Sequence, residues 1–337
     1  MIRLPRFGKF GELNLREKLR KEWLRNQSVV SLPEGPPRDR SAAPDYLSVA
    51  AIMKNEARYL AEWIEFHRLV GVERFYLYDN DSTDDSLARL KPWRDADIVR
   101  VIPWPRFIAG ANPQYLAYAH AAALTAGATR WLACIDLDEF LFPVEADDLR
   151  RLLGHLEMAE SLAVFRREFA FGGHDAPPEG LVIGNYTLTR PLMSSDRAKY
   201  KSITDPARAR AVRSAHGFVL DEGAVVRNEG LEPLQKDTER RFDIRMDHLR
   251  VNHYFTKSRD EFRWKLSRGN MTDRPDWKEK ISRAVEKLDR EATETDTTIQ
   301  RFLPQLETRL RHVRAGSIPD TGPKAPISPP QPHAQKR

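Results

Sequence analysis

The sequence predicts an α/β fold in which a mostly parallel central sheet is flanked by helices. Short apolar runs of the buried-strand type alternate with segments of helical periodicity between residues 46 and 135. The composition, with 41% hydrophobic and 31% charged residues in 337, is that of a globular protein. A chain of this length can form one large domain with a sizeable core.

Four strands are predicted, at residues 46–53, 75–78, 98–104 and 131–135. Each is a short, mainly apolar run with polar or turn-forming residues at its ends, as is typical of strands buried on both faces. Because helical segments separate the runs, the strands should be parallel. Ligands of such sheets bind beyond the carboxyl ends of the strands.

The first helix is predicted over residues 60–70, where apolar side chains recur at helical spacing. Asn55 is the expected cap of this helix and Gly71 its C-terminal stop. A second, short helix follows residues 81–84, whose side chains can cap it.

A third helix is expected to begin at Asn112, which precedes a proline, and to end at Gly127. Beyond the fourth strand the alternation weakens. Residues 160–255 mix short apolar runs with Gly, Pro and Arg, which indicates a region of insertions, and residues 261–266 and 277–310 resemble closing helices.

The two ends of the chain differ from the domain expected at residues 45–315. Residues 1–44 form a basic lead that ends in a linker with three prolines and a glycine at 31–37. Residues 316–337 contain six prolines and no aromatic side chain, so we expect a disordered tail.

The cysteine content, the apolar segments and the charge of the chain predict where the protein is located. Cys134 is the only cysteine, so no intrachain disulfide can form and a cytoplasmic location is expected. The lead lacks the apolar stretch of a signal peptide, and polar residues interrupt the apolar segment 115–135, so no membrane-spanning helix is predicted. The net charge of +6 suits anionic partners, and the eight Lys and Arg residues among residues 1–25 suggest peripheral contact with an anionic inner membrane face.

Polar clusters follow the second and fourth predicted strands, at residues 79–81 and 136–139. Asp136 and Asp138 lie two positions apart where the chain leaves a buried strand, so their carboxylates can point toward one pocket. Hard oxygen ligands of this kind suit Mn²⁺ or Mg²⁺. Two carboxylates would otherwise repel each other at this edge, which favours a metal site over a surface role.

Several ordered motifs make the chain resemble the glycosyltransferase family 2-like and family 92 group, once called domain of unknown function 23. The resemblance covers about residues 46 to 269. Its motifs are Lys54-Asn-Glu-Ala-Arg-Tyr-Leu-Ala-Glu-Trp-Ile-Glu-Phe-His67, Gly71-Val-Glu-Arg-Phe-Tyr-Leu-Tyr-Asp-Asn-Asp-Ser82, Asp136-Leu-Asp-Glu-Phe140, Phe171-Gly-Gly-His174, Lys201-Ser-Ile203, His216 and Asn252-His-Tyr-Phe-Thr-Lys-Ser258.

The resemblance implies a GT-A fold and a metal-dependent, inverting glycosyltransferase. Such an enzyme moves a sugar from a nucleotide-sugar donor, expected to be a UDP-hexose, to a glycan or lipid-linked acceptor, as in cell-surface polysaccharide synthesis. In this interpretation Asp136 and Asp138 form the metal motif. His253 matches a C-terminal histidine that adds a metal ligand in many GT-A enzymes, and His216 is the competing candidate.

The resemblance also implies donor-binding residues, although capping and turn formation are alternative roles for Asn55 and Asp79. Lys201, Lys257 and Arg268 are candidates for neutralising the leaving diphosphate. The donor-binding set is Asn55, Glu56, Asp79, Asp136 and Lys201.

An inverting displacement needs a carboxylate or histidine to deprotonate the acceptor hydroxyl. Three residues are available: Glu168, His174 and Asp175. The chain has Phe171-Gly-Gly-His where the family has Phe-Gly-Ser-Ser-Gly-His, so the sequence leaves the choice among the three open.

Two other classes compete with this interpretation. A phosphatase of the haloacid-dehalogenase type also has Asp-x-Asp after an apolar strand, but on its first strand rather than its fourth. A non-catalytic polyanion-binding module on the same fold is the second alternative, although no nucleic-acid partner is expected. An NAD-dependent dehydrogenase is excluded because the loop after Met53 has no glycine. The oligomeric state is not readable from the sequence.

Overall fold

The computed structural model describes residues 29–32, 42–105, 112–192, 199–234, 244–269 and 276–320. The helices of these residues are α1 (Leu60–Leu69), α2 (Ser86–Arg89), α3 (Lys91–Asp95), α4 (Pro113–Thr125), α5 (Leu149–His155), α6 (Val182–Asn185), α7 (Arg259–Arg268), α8 (Trp277–Glu291) and α9 (Leu303–Arg314). None of these helices is long and apolar enough to cross a membrane.

Short strands accompany the helices throughout the described part of the chain. They are β1 (Val30–Ser31), β2 (Asp45–Met53), β3 (Arg74–Asp79), β4 (Val99–Pro103), β5 (Thr129–Cys134), β6 (Glu139–Pro143), β7 (Ser161–Glu168), β8 (Leu188–Thr189), β9 (Tyr200–Thr204), β10 (Ala209–Ser214), β11 (Gly217–Leu220), β12 (Val226–Arg227), β13 (Leu249–His253) and β14 (Glu294–Thr295).

The central sheet has the strand order β4-β3-β2-β5-β9-β7-β13-β6, with β12 beside β7. Strands β4, β3, β2 and β5 are parallel, as are β7, β13 and β12, whereas β9 runs antiparallel to both of its neighbours and β6 antiparallel to β13. The α/β fold with a mostly parallel sheet and flanking helices is therefore confirmed.

The four predicted strands correspond to β2, β3, β4 and β5, with ends within two residues of those expected. Asn112 caps α4 as expected, because its side chain accepts a hydrogen bond from the N–H of Gln114. The prediction that Asn55 caps α1 is wrong. Helix α1 begins after Tyr59, and the Asn55 side chain instead accepts the N–H of Thr83 at 2.7 Å, in the loop after β3.

The second half of the chain contributes more to the sheet than the sequence predicted. Strands β7, β9 and β13 all lie within the segment expected to consist of insertions. Charged residues such as Arg166, Lys201 and Arg250 interrupt their apolar runs, which hides the strand pattern. The closing helical segment 277–310 is also divided, because α8 ends at Glu291 and α9 begins at Leu303.

Each face of the sheet carries its own apolar core. On one face, α1 and α9 pack with buried aromatic side chains that include Trp63, Phe66 and Phe302. On the other face, α4 places Tyr118 against β2 and β5. The second packing matters for the site, because it fixes the first turn of α4 beside the carboxyl end of β5.

Most of the predicted basic lead and proline-rich tail lies outside the described residues, so both stay predictions. The described parts of these two segments are residues 29–32, 42–44 and 316–320. Ser31 pairs with Ala211 as part of β1. Near the other end, the carbonyl oxygen of Pro319 accepts hydrogen bonds from Arg68 and Arg309.

Replacing Gly71 by alanine is expected to destabilise the protein by about 2 kcal/mol or more. Gly71 has a φ of +106°, and an added Cβ would lie 2.4 Å from Asp148 Oδ1. Gly223→Ala is the matched control, since Gly223 has a φ of +80° but no heavy atom within 4 Å of such a Cβ. Urea unfolding of both variants measures the difference, and an equal loss in the two would contradict a steric contribution at Gly71.

Candidate active site

Three connected cavities form one cleft at the carboxyl ends of β2, β3 and β5. The α7 cavity, of about 670 Å³, lies between residues 55–59 and helix α7. The central cavity, of about 840 Å³, is lined by the Asp136–Asp138 segment and by one face of α8. The β3-edge cavity, of about 310 Å³, is lined by Asn80 and Asp81. All three share Glu56, Lys265 and Arg268.

Asp136 follows β5 and faces the central cavity. Its Oδ1 accepts hydrogen bonds from Gln114 Nε2 at 2.7 Å and from the Tyr118 hydroxyl at 3.3 Å, both on α4. Its Oδ2 lies 2.8 Å from Lys201 Nζ, on β9. Helix α4 and strand β9 therefore fix the orientation of this carboxylate.

Asp138 lies between a lysine and a histidine. Its Oδ2 is 2.5 Å from Lys265 Nζ on α7, and its Oδ1 is 3.5 Å from His253 Nε2 at the end of β13. Since β13 pairs with β6, which begins at Glu139, the strand ladder brings His253 to this position. The structure thus joins Asp136, Asp138 and His253 at one place, as the resemblance implied.

Glu168 holds the other side of the His253 ring. His253 Nδ1–H donates to Glu168 Oε2 at 2.6 Å, and Arg166 binds the second carboxylate oxygen at 2.8 Å. His253 and Glu168 stand opposite each other in the parallel β13–β7 pairing. A carboxylate that receives Nδ1–H fixes the ring so that Nε2 faces Asp138.

Glu139 ends the polar cluster predicted at residues 136–139, but the sequence indicated no role of its own for it. Its buried carboxylate accepts the N–H of Asp136 at 2.9 Å, and also contacts Arg166 at 2.8 Å and Lys201 at 3.2 Å. It therefore links the positions of Asp136 and Glu168. Its position directly after Asp138 indicates that it lies near the acidic pair. Its partners could not be read from the sequence, because they lie on β7 and β9.

Three carboxyl groups that line the central cavity have a lowered pKa because cationic or imidazole side chains lie next to them. Burial raises the pKa of Asp138, but Lys265 and His253 outweigh it and hold that pKa well below its usual range. Burial likewise opposes ionisation of Asp136, and Lys201 brings its pKa below the ordinary value. For Glu168, burial is outweighed by His253 and Arg166, and the pKa is lowered.

His216 lines the central cavity but does not approach the acidic pair as His253 does. Its Nδ1 lies 3.1 Å from the carbonyl oxygen of Tyr200. Burial and the nearby Lys201 lower its pKa to about 4, so it is neutral at pH 7. Of the two histidines, His253 has the closer relation to Asp138.

Some of the donor-binding candidates line the cavities, and others contact a neighbouring loop. Glu56 lines all three cavities and lies 3.2 Å from Arg268. Asn55 lines the α7 cavity, while its amide oxygen holds the loop after β3. Asp79 accepts the N–H of Ser82 at 3.3 Å, and it is Asn80 and Asp81 that line the β3-edge cavity.

Of the three candidate bases, Glu168 is the one that lines a cavity in the described part of the chain. The His174 ring packs against Tyr186, with ring centroids 5.3 Å apart. The Asp175 side chain is 84% exposed and lies 3.4 Å from Arg259, near the start of α7.

The residues of the acidic pair fit a divalent cation in their chemistry. Within the described residues, no group of three or more His, Cys, Asp or Glu side chains converges as a ready-made metal site. However, Asp138 and the Nε2 of His253 face each other, and Glu168 provides the outer contact that metal-binding histidines usually have. Carboxylate and imidazole ligands suit Mn²⁺, and carboxylates suit Mg²⁺.

Comparison with solved structures finds matches of low similarity. TarS of S. aureus is 15% identical, with a TM-score of 0.32, over 48% of this chain and 28% of TarS. Glucosyl-3-phosphoglycerate synthase of Mycobacterium tuberculosis, in complex with Mn²⁺, UDP and glucosyl-3-phosphoglycerate, is 19% identical, with a TM-score of 0.25, over 41% of this chain and 52% of that one. At these scores the likeness is no evidence of function.

Curated relatives are found among plant proteins of glycosyltransferase family 92. One from Ricinus communis is 28% identical over 205 residues, which are 58% of this chain and 35% of the relative. One from Oryza sativa subsp. japonica is 26% identical over 69% of this chain and 37% of the relative. One from Arabidopsis thaliana is 25% identical over 83% of this chain and 48% of the relative. The chain thus spans between about a third and a half of their lengths.

A family model also matches most of the chain. The model described as "Glycosyltransferase family 92" matches residues 46–301, about three quarters of the chain. The matched segment includes β2 to β14, all three cavities and the acidic pair. The chain belongs to glycosyltransferase family 92.

Proposed function

We propose that the protein is a metal-dependent glycosyltransferase that takes a nucleotide-sugar donor, a UDP-hexose, and acts with inversion. The observation that supports this most is the position of Asp136 and Asp138. They leave β5 at the ligand edge of the sheet, inside a continuous cleft, with His253 3.5 Å from Asp138. Membership in family 92 supports the reaction class.

Asp138 and His253 would hold the divalent cation, with Asp136 beside them. When bound, the cation supplies positive charge that stabilises the departing diphosphate. The protein contributes the fixed orientation of these ligands. Glu168 fixes the His253 ring, and Glu139 and Lys201 fix Asp136.

The donor fits the cleft with its nucleoside in the β3-edge cavity. Asn80 and Asp81 offer polar groups at this point, and Met53 and Lys54 border it. The diphosphate then lies toward Asp138, and the sugar toward the central or the α7 cavity. Both of those cavities border Asp138 and are large enough for a sugar ring.

The catalytic base is still predicted to be one of three residues: Glu168, His174 or Asp175. Glu168 borders the cavity, but its lowered pKa and its bonds to His253 and Arg166 favour a positioning role over proton acceptance. His174 and Asp175 lie near the start of α7, so they could act only on an acceptor that reaches that point.

The acceptor is proposed to be a glycan or a lipid-linked sugar, with a role in cell-surface polysaccharide synthesis. A cytoplasmic protein that touches the anionic inner membrane face would meet such lipids. The basic residues invoked for that contact belong to the N-terminal lead and lie outside the described residues: Arg3, Arg6, Lys9, Arg16, Lys18, Arg20, Lys21 and Arg25.

Binding of UDP is expected to depend on a divalent cation. Isothermal titration with UDP should give a clear affinity in Mn²⁺ and a loss of at least about tenfold in EDTA, because the diphosphate otherwise faces the ionised Asp136 and Asp138. Equal binding in both conditions would contradict metal dependence. Binding of a polyanion such as heparin, without any binding of UDP, would favour the non-catalytic module, and phosphate release without sugar transfer would favour a phosphatase.

A further inference from the structure

Lys257 differs in its surroundings from Lys201, Lys265 and Arg268, three other cations of the site. It lies between β13 and α7, is 8% exposed, and lines the α7 cavity together with Asp138 and Glu56. In the described part of the chain, no carboxylate oxygen lies within 4 Å of its ammonium group. Its nearest described partner is the ring of Tyr59, whose centroid is 3.9 Å from Nζ.

These three cations each have a carboxylate partner. Lys201 is paired with Asp136, Lys265 lies 2.5 Å from Asp138, and Arg268 is 3.2 Å from Glu56. An aromatic ring attracts an ammonium group but leaves its full charge in place. Lys257 is therefore a buried cation, and among the described residues no anion within ion-pair distance balances its charge.

A buried charge without a partner is costly, and proteins retain one where it has a function. Burial lowers the pKa of Lys257, while Glu56 and Asp138, at longer range, favour its charged form. An anion that enters the α7 cavity next to Lys257 would gain a desolvated ion pair and relieve this cost.

The backbone at Lys257 is also held in an unusual conformation. Its φ is +46°, which is uncommon for a residue with a side chain and stores strain. Both neighbours are anchored. The hydroxyl of Thr256 donates to the carbonyl oxygen of Phe169, and Ser258 caps α7 in a reciprocal pair with Glu261. The strained residue is thereby locked with its side chain in the cavity wall.

We propose that Lys257 is a phosphate-binding residue that pairs with the diphosphate of the nucleotide donor. This assignment rests on the proposed function and selects Lys257 from the three cations that sequence reasoning considered for this role. Lys201 and Arg268 serve to hold Asp136 and Glu56. Lys257 also lies beside the cavity wall that contains Asp138, where the diphosphate is proposed to lie.

Lys257→Met tests the assignment because methionine keeps most of the side-chain volume and its contact with Tyr59 but removes the charge. Affinities for UDP and for uridine are measured in Mn²⁺ for the wild type, Lys257→Met, Lys257→Arg and the control Lys91→Met. Lys91 is an exposed residue of α3, paired with Asp95.

We expect Lys257→Met to lower the affinity for UDP about 10- to 100-fold and to leave the affinity for uridine within about twofold. Lys257→Arg should recover part of the loss, and Lys91→Met should bind like the wild type. An equal loss for UDP and uridine would indicate a merely structural role and overturn the assignment.

The same titrations separate this assignment from the proposed function. If the wild type binds UDP and Lys257→Met binds it equally well, the assignment of Lys257 is wrong while the function stands. If the wild type binds neither UDP nor uridine, the proposed function fails and the assignment with it.

Discussion

Replacing Asp138 by asparagine is expected to lower the rate of sugar transfer by roughly 1,000-fold or more. Asparagine keeps the shape of the side chain but removes the negative charge that a divalent cation requires. It also leaves the ammonium group of Lys265 facing a neutral amide, so that its positive charge is unbalanced where the divalent cation should bind. The loss should therefore appear both in Mn²⁺-dependent binding of UDP and in turnover.

The assay for this variant is the release of UDP from a panel of UDP-hexoses in Mn²⁺, with and without acceptor glycans. Asp95→Asn is the matched control, because Asp95 is an exposed carboxylate of α3 whose partner is Lys91. Far-UV circular dichroism checks that Asp138→Asn keeps its secondary structure. Wild-type turnover in Asp138→Asn, or full activity of the wild type in excess EDTA, would refute the metal site.

Replacing Glu65 by alanine is expected to destabilise the fold by about 3–5 kcal/mol. Glu65 lies on α1 and is fully buried. Its Oε1 accepts hydrogen bonds from Arg68 at 2.6 Å and from the indole of Trp93 at 2.6 Å, and its Oε2 binds Arg309 at 2.7 Å. Alanine would leave two buried guanidinium groups without their carboxylate.

Urea unfolding of Glu65→Ala, compared with Glu307→Ala, measures this effect. Glu307 is an exposed residue of α9, the helix that carries Arg309, so its replacement should change stability by no more than about 0.5 kcal/mol. A double-mutant cycle with Arg309→Ala should give a coupling of at least about 1 kcal/mol. A loss below 1 kcal/mol in Glu65→Ala would show that the ion cluster contributes little.

The two variants are expected to separate stability from function. Glu65 joins α1 to α9 on the face of the sheet that carries the larger core, whereas Asp138 lies at the ligand edge. Glu65→Ala protein that remains folded at low temperature should therefore still bind UDP in Mn²⁺. Loss of that binding in folded protein would mean that the cluster also positions the cleft.

The sequence by itself determined the features that depend on neighbouring positions. The apolar runs located β2 to β5, because a strand that is buried on both faces consists of consecutive apolar residues. The Asn112-Pro113 pair located the start of α4, and Gly71 the turn after α1. The Asp136–Asp138 pair followed a predicted strand and could be placed at the ligand edge for the same reason.

Only the tertiary structure decided which distant residues complete the site. Glu168 and His253 are 85 positions apart, and Lys201 and Asp136 are 65 positions apart. The sequence of one strand does not specify which charged side chains lie opposite it on the neighbouring strand. The register of β7, β9 and β13 sets those pairs, and the charged residues that make them also hid these strands from the sequence pattern.

The partners of the buried polar residues of α1 also come from distant parts of the chain. Glu65 and His67 interrupt an apolar helix face, which in the sequence is typical of exposed positions. In the fold, Glu65 meets Arg309 from 244 positions away, and His67 Nε2 accepts the N–H of Leu141 at 3.1 Å while burial lowers its pKa to about 3. The periodicity of apolar residues indicates that a helix face is buried. The partner that stabilises a buried charge comes from another element, often far away in the chain, that packs against this face.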